Sequence, residues 1–354
     1  GHDWHAGLVP AYLAASGAAA SGVIPAGSVF TVHNLAFQGE FPASVFPSLG
    51  LPAEYFAPQG LEFYGHVNFI KAGLHFADRI TTVSPGYARE IQTPEFGFGM
   101  DGLLRHRASQ LSGILNGVDY SMWSPGADPF LTTHYDAAHL AGKTDCKAAL
   151  RVELGLAPDA PGPLFGAVSR LTGQKGLDLL LDVLPALLAQ GSQLVLLGSG
   201  DAVIADAFRH AAQRHPRQVV LRQGYDEALA HRIIAAADVI AVPSRFEPCG
   251  LTQIYGLAYG TLPLVRRVGG LADTVHDSNA DALAAGTATG FLFDEASGAA
   301  LLAALDRVFA LWHQPAQWTA VCRRAMREDF SWKGPAARYL ALYRELRPSA
   351  AASG

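Results

Sequence analysis

Residues 238–256 read "DVIAVPSRFEPCGLTQIYG". The opening DVIAV is an apolar stretch with the pattern of a buried strand. After it, Leu251, Ile254, Tyr255 and Ala258 fall at helical spacing. Glu247 therefore stands on a short strand-to-helix turn, flanked by Phe246 and Pro248. An unpaired buried carboxylate is costly, so its presence there needs a chemical reason.

The same strand–turn–helix rhythm runs through the second half of the chain. Apolar runs recur at 164–168, 194–198, 219–222, 239–242, 262–265 and, more briefly, 291–293. Between them lie amphipathic stretches. In 177–188, for example, Leu177, Leu180, Leu181, Leu184, Leu187 and Leu188 share one helical face. Alternation of this length predicts parallel βαβ units in a doubly wound α/β sheet. The first half is sparser, with strands predicted at 28–34, 79–84 and 111–117. Residues 154–163, "LGLAPDAPGP", are rich in Pro and Gly and are the predicted boundary between two domains.

The bulk composition agrees with two domains. The chain has 354 residues, half of them hydrophobic and 16% charged, enough for sizeable cores. A net charge of −5 without a Lys/Arg run argues against a nucleic-acid surface. Cys146, Cys249 and Cys322 are far apart and form neither a disulfide framework nor a CxxC metal pattern, which points to a reducing cytoplasm. Residues 9–32 are uncharged, but their glycines and Pro25 break a weakly apolar stretch, so no membrane span is predicted. No signal peptide is visible. The chain opens "GHDWHAGL" at Gly1, as if cut just after a strand.

Most polar, Gly-containing turns follow strands, where ligands of open α/β sheets bind. Arg170 and Lys175 share one such turn, "SRLTGQKG", ahead of a helix. Two cations at a helix N-terminus suit a diphosphate, though solvated turn charges fit that single turn equally well. No GxxxxGK[ST] loop is present. "EPCGLT" repeats the arrangement: Gly250 allows close backbone approach, and Leu251 and Thr252 open a helix. Tyr225 ends another strand and either stacks on a base or packs, packing being favoured without context. Asp226 reads as a helix N-cap. His33 and Asn34 end a strand in the first half.

Ten segments resemble the bacterial glycogen synthase and plant starch synthase family of glycosyltransferases. They are "HDWHAGL" (2–8), "TVHNLAFQG" (31–39), "FYGHVNFIKAGL" (63–74), "ITTVSPGYAREI" (80–91), "ILNGVD" (114–119), "SRLTGQKGLD" (169–178), "GYDEALAHRI" (224–233), "SRFEPCGLTQIYG" (244–256), "GGLADTV" (269–275) and "DFSW" (329–332). They span nearly the whole chain in family order. The resemblance implies a GT-B architecture of two facing Rossmann-like domains with the active site in the cleft. These would be an incomplete acceptor-side domain over 1–155, a nucleotide-sugar domain over 160–330, and a C-terminal helix and tail over 331–354 returning toward the first. It implies retaining transfer of glucose from ADP-glucose to the non-reducing end of an α-1,4-glucan in glycogen biosynthesis, with no cofactor and no required metal.

Carried over residue by residue, the resemblance has Arg170 and Lys175 hold the donor diphosphate, with Gly250, Leu251 and Thr252 adding contacts to the phosphates. Tyr225 would lie against the adenine and His33 would touch the transferred glucose. Asp3 would lie on the sugar side, and Asn34 and Asn116 join the substrate-binding set. Glu247 would bind the glucose hydroxyls and support the charge that develops as the glycosidic bond breaks. By the resemblance, the family's opening lysine-glycine-glycine-leucine loop would lie upstream of this chain. Related retaining transferases carry a second glutamate eight positions after the first; here that residue is Tyr255. Two alternatives accompany this reading: a transferase using UDP-glucose or another nucleotide sugar, and an inactive fragment that binds nucleotide or glucan.

Overall fold

The computed structural model describes residues 1–16 and 26–346. They form two compact units, one of residues 1–116 with the segment from Lys333 onward, the other of residues 117–332.

In the first unit, β1 (Val29–Val32) pairs with β5 (Arg79–Thr82), and β5 with β6 (Leu111–Gly113), all parallel. The predicted strands at 28–34, 79–84 and 111–117 are therefore present but shorter. A second sheet was not visible in the sequence. It is antiparallel, in the order β2 (Glu40–Pro42), β4 (His66–Asn68), β3 (Glu62–Phe63). Strands of two or three residues carry too little alternation to register as a pattern. Phe30, Val32, Ile70, Leu74, Ile80, Tyr87, Ile91 and Leu104 form the core of this unit. The uncharged 9–32 stretch begins with a short helix, Val9–Ala15, and its residues 17–25 lie outside the described residues.

The second unit holds β7 (Leu164–Val168), β8 (Gln193–Gly198), β9 (Val219–Gln223), β10 (Val239–Val242), β11 (Leu262–Arg266) and β12 (Phe291–Phe293). All six apolar runs are strands, and every pairing among them is parallel. Their order across the sheet is β9-β8-β7-β10-β11-β12. The sheet is thus wound outward in two directions from the β7–β10 pair. Helices Leu177–Ala189 and Gly298–Trp312 cover one face, and Glu227–Ala236 and Ala141–Leu154 the other. Strands buried on both faces read as continuous apolar runs, which is why these were legible.

The boundary between the units differs from the expected one at 154–163. Helix Ala141–Leu154 lies ahead of that segment, yet Cys146, Leu150 and Leu154 pack with Leu164, Ile233 and Tyr259. Tyr135 also donates its hydroxyl to the carbonyls of Ala235 (3.1 Å) and Tyr259 (3.0 Å). This buried apolar area ties 117–155 to the second unit, and the Pro/Gly segment is an internal loop. At the other end, helix Lys333–Glu345 groups with the first unit, where Arg79 and Glu345 form an ion pair at 2.9 Å.

Candidate active site

The winding reverses between β7 and β10, which are hydrogen-bonded neighbours whose chains continue to opposite sides of the sheet. In open α/β sheets the crevice at such a point, beyond the carboxyl ends of the strands, is where ligands bind. Two loops meet there, 169–176 after β7 and 243–251 after β10. The first carries Arg170 and Lys175, the second Glu247, Gly250 and Leu251, with Thr252 opening helix Thr252–Ala258.

The loops are fastened to each other by contacts that sequence reasoning missed. The Arg245 amide donates to the Gln174 carbonyl at 2.8 Å, and Gln174 Nε2 donates to the Phe246 carbonyl at 3.2 Å. The Arg245 guanidinium grips Asp178 with two parallel bonds of 2.7 and 2.6 Å. That hydrogen bonding holds the Asp178 carboxyl below its ordinary range. Gly176 makes the close approach possible. Its φ is +62°, and a Cβ there would lie 2.1 Å from the Pro243 carbonyl oxygen.

Glu247 is 6% exposed. Its Oε2 accepts from Lys175 Nζ at 2.6 Å and from Ser244 Oγ at 2.8 Å. Among the described residues Oε1 takes no hydrogen bond. The costly carboxylate therefore has both a cation and a hydroxyl, and its second oxygen remains for a ligand. The Glu247 carbonyl accepts from the Gly270 amide at 3.1 Å. Helix Gly269–Thr274 comes this near because a Cβ on Gly270 would lie 2.1 Å from the Cys249 carbonyl oxygen.

Arg170, Lys175, Ser244, Glu247, Gly250, Leu251 and Thr252 line one cavity of about 180 Å³. Gln253 lines it too, fully buried, with its Oε1 lacking a hydrogen-bond partner and its amide nitrogen bonded to the carbonyls of Cys249 and Gly250. The Arg170 side chain is exposed and makes no hydrogen bond or ion pair among the described residues. An adjoining hollow of about 220 Å³ shares Val168, Ser169 and Arg170 and adds Gly198, Ser199, Gly224 and Tyr225. Tyr225 is 87% exposed, so the packing role favoured for it in the sequence does not hold. Its hydroxyl donates to Glu227 Oε2 at 3.2 Å, and the neighbouring Glu227 charge pushes the phenol up. Asp226 does cap the next helix, accepting from the Leu229 amide at 2.8 Å.

The remaining candidates lie in the first unit. Asp3 Oδ1 accepts from the amides of His33 (2.7 Å) and Asn34 (3.5 Å), and the Leu35 amide donates to the buried Tyr87 hydroxyl at 3.0 Å. These bonds fix the turn after β1. His33 Nε2 lies 2.9 Å from His2 Nδ1. Asp3 itself has a φ of +52°, an unusual conformation for a non-glycine residue. Asn116 closes this unit's first segment, and its side chain makes no hydrogen bond among the described residues.

Cys146, Cys249 and Cys322 are all buried thiols. Among the described residues no helix is long and apolar enough to cross a membrane. Nor do three or more His, Cys, Asp or Glu come together there to hold a metal ion.

Known proteins resemble this chain in sequence and in fold. Residues 1–106 match a family model described as the starch synthase catalytic domain, and residues 162–310 one described as glycosyl transferases group 1. The chain is 58% identical over 347 residues to a glycogen synthase of Serratia proteamaculans, covering 98% of this chain and 72% of that protein. It is 57% identical, with the same coverage, to a glycogen synthase of Yersinia pestis. The catalytic domain of starch synthase IV from Arabidopsis thaliana, solved bound to ADP and acarbose, superimposes with a TM-score of 0.91 at 37% identity, covering 98% of this chain and 72% of that one. A sucrose-phosphate synthase from Thermosynechococcus elongatus, with a TM-score of 0.58 and 24% identity over the same coverage, shares the fold.

Proposed function

The chain belongs to the bacterial glycogen synthase and plant starch synthase family of glycosyltransferases, and from that premise we propose that it transfers glucose from ADP-glucose to the non-reducing end of an α-1,4-glucan with retention of configuration. The observation that carries this reading is the Lys175–Glu247 pair, 2.6 Å apart beside the uncommitted Arg170 at the reversal point of the sheet. It sets a cation and a carboxylate side by side, one for each half of a nucleotide sugar.

Transfer separates charge. As the bond from the anomeric carbon to the diphosphate breaks, the sugar becomes oxocarbenium-like and ADP gains negative charge. Arg170 and Lys175 stabilise the leaving diphosphate, Arg170 through a fork and Lys175 as a point charge. Gly250, Leu251 and Thr252 offer the phosphates backbone amides and a hydroxyl. Glu247 is held in place by Ser244 and Lys175, so it faces the developing positive charge without having to reorganise. The glucose hydroxyls reach its second oxygen. Tyr225, exposed beside the adjoining hollow, is placed to stack on the adenine. His33, oriented through Asp3, and Asn34 serve the transferred glucose, and Asn116 belongs to the same substrate-binding set.

The test is incorporation of label from ADP-[14C]glucose into glycogen by this chain, with unlabelled UDP-glucose as competitor. Incorporation that UDP-glucose fails to suppress supports the reading. Suppression by equimolar UDP-glucose would reassign the donor. ADP binding without any incorporation would leave a nucleotide-binding protein and refute the transferase.

A further inference from the structure

The second unit holds a cavity of about 660 Å³ apart from the candidate active site. Its lining residues all fall within 117–332, so it belongs to that unit alone. Helix Ala141–Leu154 forms one wall, and the end of helix Gly298–Trp312 with helix Pro315–Ala325 the other. Asp238, the residue before β10, lines it too, which puts the cavity at the amino ends of the strands. The loop of Glu247 follows the opposite end of β10. Thr144, Ala148 and Pro315 are exposed in the lining and open the cavity to solvent. Its volume is that of a small-molecule site, and like such sites it joins apolar walls to a few fixed polar groups.

Lys143, Lys147 and Arg151 recur at four-residue spacing, so all three stand on the helix face turned to the cavity. Folding uses part of each. Lys143 Nζ donates to the Ala235 carbonyl at 2.8 Å and to Thr261 Oγ1 at 2.6 Å, and lies 5.7 Å from the Tyr135 ring centre. Ala235 is in the last turn of helix Glu227–Ala236, where a cation is favoured. Lys147 Nζ donates to Asp238 Oδ2 at 2.5 Å. The Arg151 guanidinium donates to Gln193 Oε1 and to the carbonyls of Pro158 and Ala160. An ammonium carries three N–H groups. Among the described residues Lys143 therefore keeps one without a hydrogen-bond acceptor, and Lys147 keeps two. Nor do the charges cancel. Asp238 is the one carboxylate in the lining against three cations, with Asp159 acting on Arg151 from nearby. The Cys322 thiol in the wall adds no charge, because burial pushes it up to about 12.

A flat surface lies beside these cations. Trp312 Nε1 donates to the Pro161 carbonyl at 3.1 Å, which fixes the ring, and Trp318 meets it edge-on with ring centres 5.1 Å apart. Lys147 Nζ sits 4.9 Å from the Trp312 ring centre.

We propose that this cavity binds a small organic anion, its acidic head on Lys143 and Lys147 and its flat apolar body against Trp312. An ammonium desolvated among neutral acceptors gains most from a counter-charge brought by a ligand. The inference stands apart from the donor-site reading, since the two sites lie at opposite ends of β10.

The test is titration calorimetry with 1-naphthoate, 1-naphthyl phosphate and the uncharged 1-naphthalenemethanol. The proteins are the 354-residue chain, Ala148→Glu, Lys143→Met and Arg170→Ala. Ala148 is exposed in mid-helix, and a glutamate there keeps the helix while placing a competing carboxylate at the mouth. At least one acid should bind the wild type about ten- to a hundredfold more tightly than the alcohol, the scale of a charge-assisted hydrogen bond. Either acid counts in support, and the tighter one identifies the head group. Ala148→Glu and Lys143→Met should each weaken that acid about tenfold or more, with ADP affinity unchanged. Arg170→Ala should leave the acid's affinity as it was. Thermal unfolding checks that each variant folds, and Ala148→Glu decides alone should Lys143→Met fail to fold. Equal affinity for the acids and the alcohol would overturn the proposal. So would no acid binding by the wild type, or acid affinity lost in Arg170→Ala and kept in Ala148→Glu.

Discussion

Replacing Glu247 by glutamine removes one charge and little else. The amide still accepts from Ser244 Oγ, now 2.8 Å away, and still fills the same space. What it loses is the ionic part of the 2.6 Å contact with Lys175. A hydrogen bond to a charged group contributes about 1.5–3 kcal/mol net. Breaking a fully buried pair costs more, about 3–5 kcal/mol. This pair keeps 8% and 17% side-chain exposure and borders a cavity, so the lower range applies. For a unit of this size, 1.5–3 kcal/mol lowers the melting temperature by roughly 3–12 °C. The effect on ligands has the opposite sign. Lys175 is freed from its counter-charge, so ADP should bind as tightly as before or up to about tenfold more tightly. Turnover should fall, because the fixed charge facing the sugar is gone. Loss of one preorganised electrostatic contact costs about a hundred- to a thousandfold. Calorimetry with ADP and label transfer from ADP-glucose, both normalised to folded protein, measure the two effects. Near-normal turnover combined with weakened ADP binding would refute the catalytic assignment and make Glu247 a structural brace for Lys175.

Two further perturbations test the scaffold. Gly176→Ala places a Cβ 2.1 Å from the Pro243 carbonyl oxygen in a left-handed residue. The conformation alone costs about 1–2 kcal/mol, so the melting temperature should drop by at least roughly 2–8 °C; an unchanged value would contradict the close approach of the two loops. Among the described residues Lys143 bonds only to neutral oxygens, the Ala235 carbonyl at 2.8 Å and Thr261 Oγ1 at 2.6 Å, and burial pushes its ammonium down to about 8. Between that value and the ordinary lysine value of 10.5 the unfolded chain holds a proton that the folded chain has lost, so stability rises with pH in this window, by at most about 1.4 kcal/mol per pH unit. Lys143→Met should remove that rise in urea midpoints measured from pH 8 to 10.5; parallel profiles for the two proteins would show that Lys143 is not shifted.

The sequence made the six strands of the second unit legible because burial on both faces leaves continuous apolar runs. Arg170, Lys175, Glu247, Gly250, Leu251 and Thr252 were legible for a related reason. Each stands just past such a run, and only parallel winding brings their loops to one place. The fasteners between those loops were not legible. Arg245 and Asp178 meet across 67 residues, and Lys175 and Glu247 across 72. No periodicity encodes such pairings. The unit boundary was misplaced because a Pro/Gly-rich segment is equally suited to a linker and to an internal loop. Buried contacts of Tyr135, Cys146 and Leu150 decided between them. The exposed state of Tyr225 was hidden for the opposite reason: an aromatic at a strand end ordinarily packs, and only the fold shows its ring facing outward.

The central claim, that the turns after β7 and β10 form a diphosphate site, is met most directly by titrating ADP into the wild-type chain and into Arg170→Ala. Arg170 is exposed and makes no side-chain bond among the described residues, so its loss leaves the fold intact. The wild type should bind ADP, and the variant should bind it about ten- to a hundredfold more weakly, as expected for a lost charge-assisted hydrogen bond. Equal affinity in both proteins, or no binding by the wild type, would contradict the assignment.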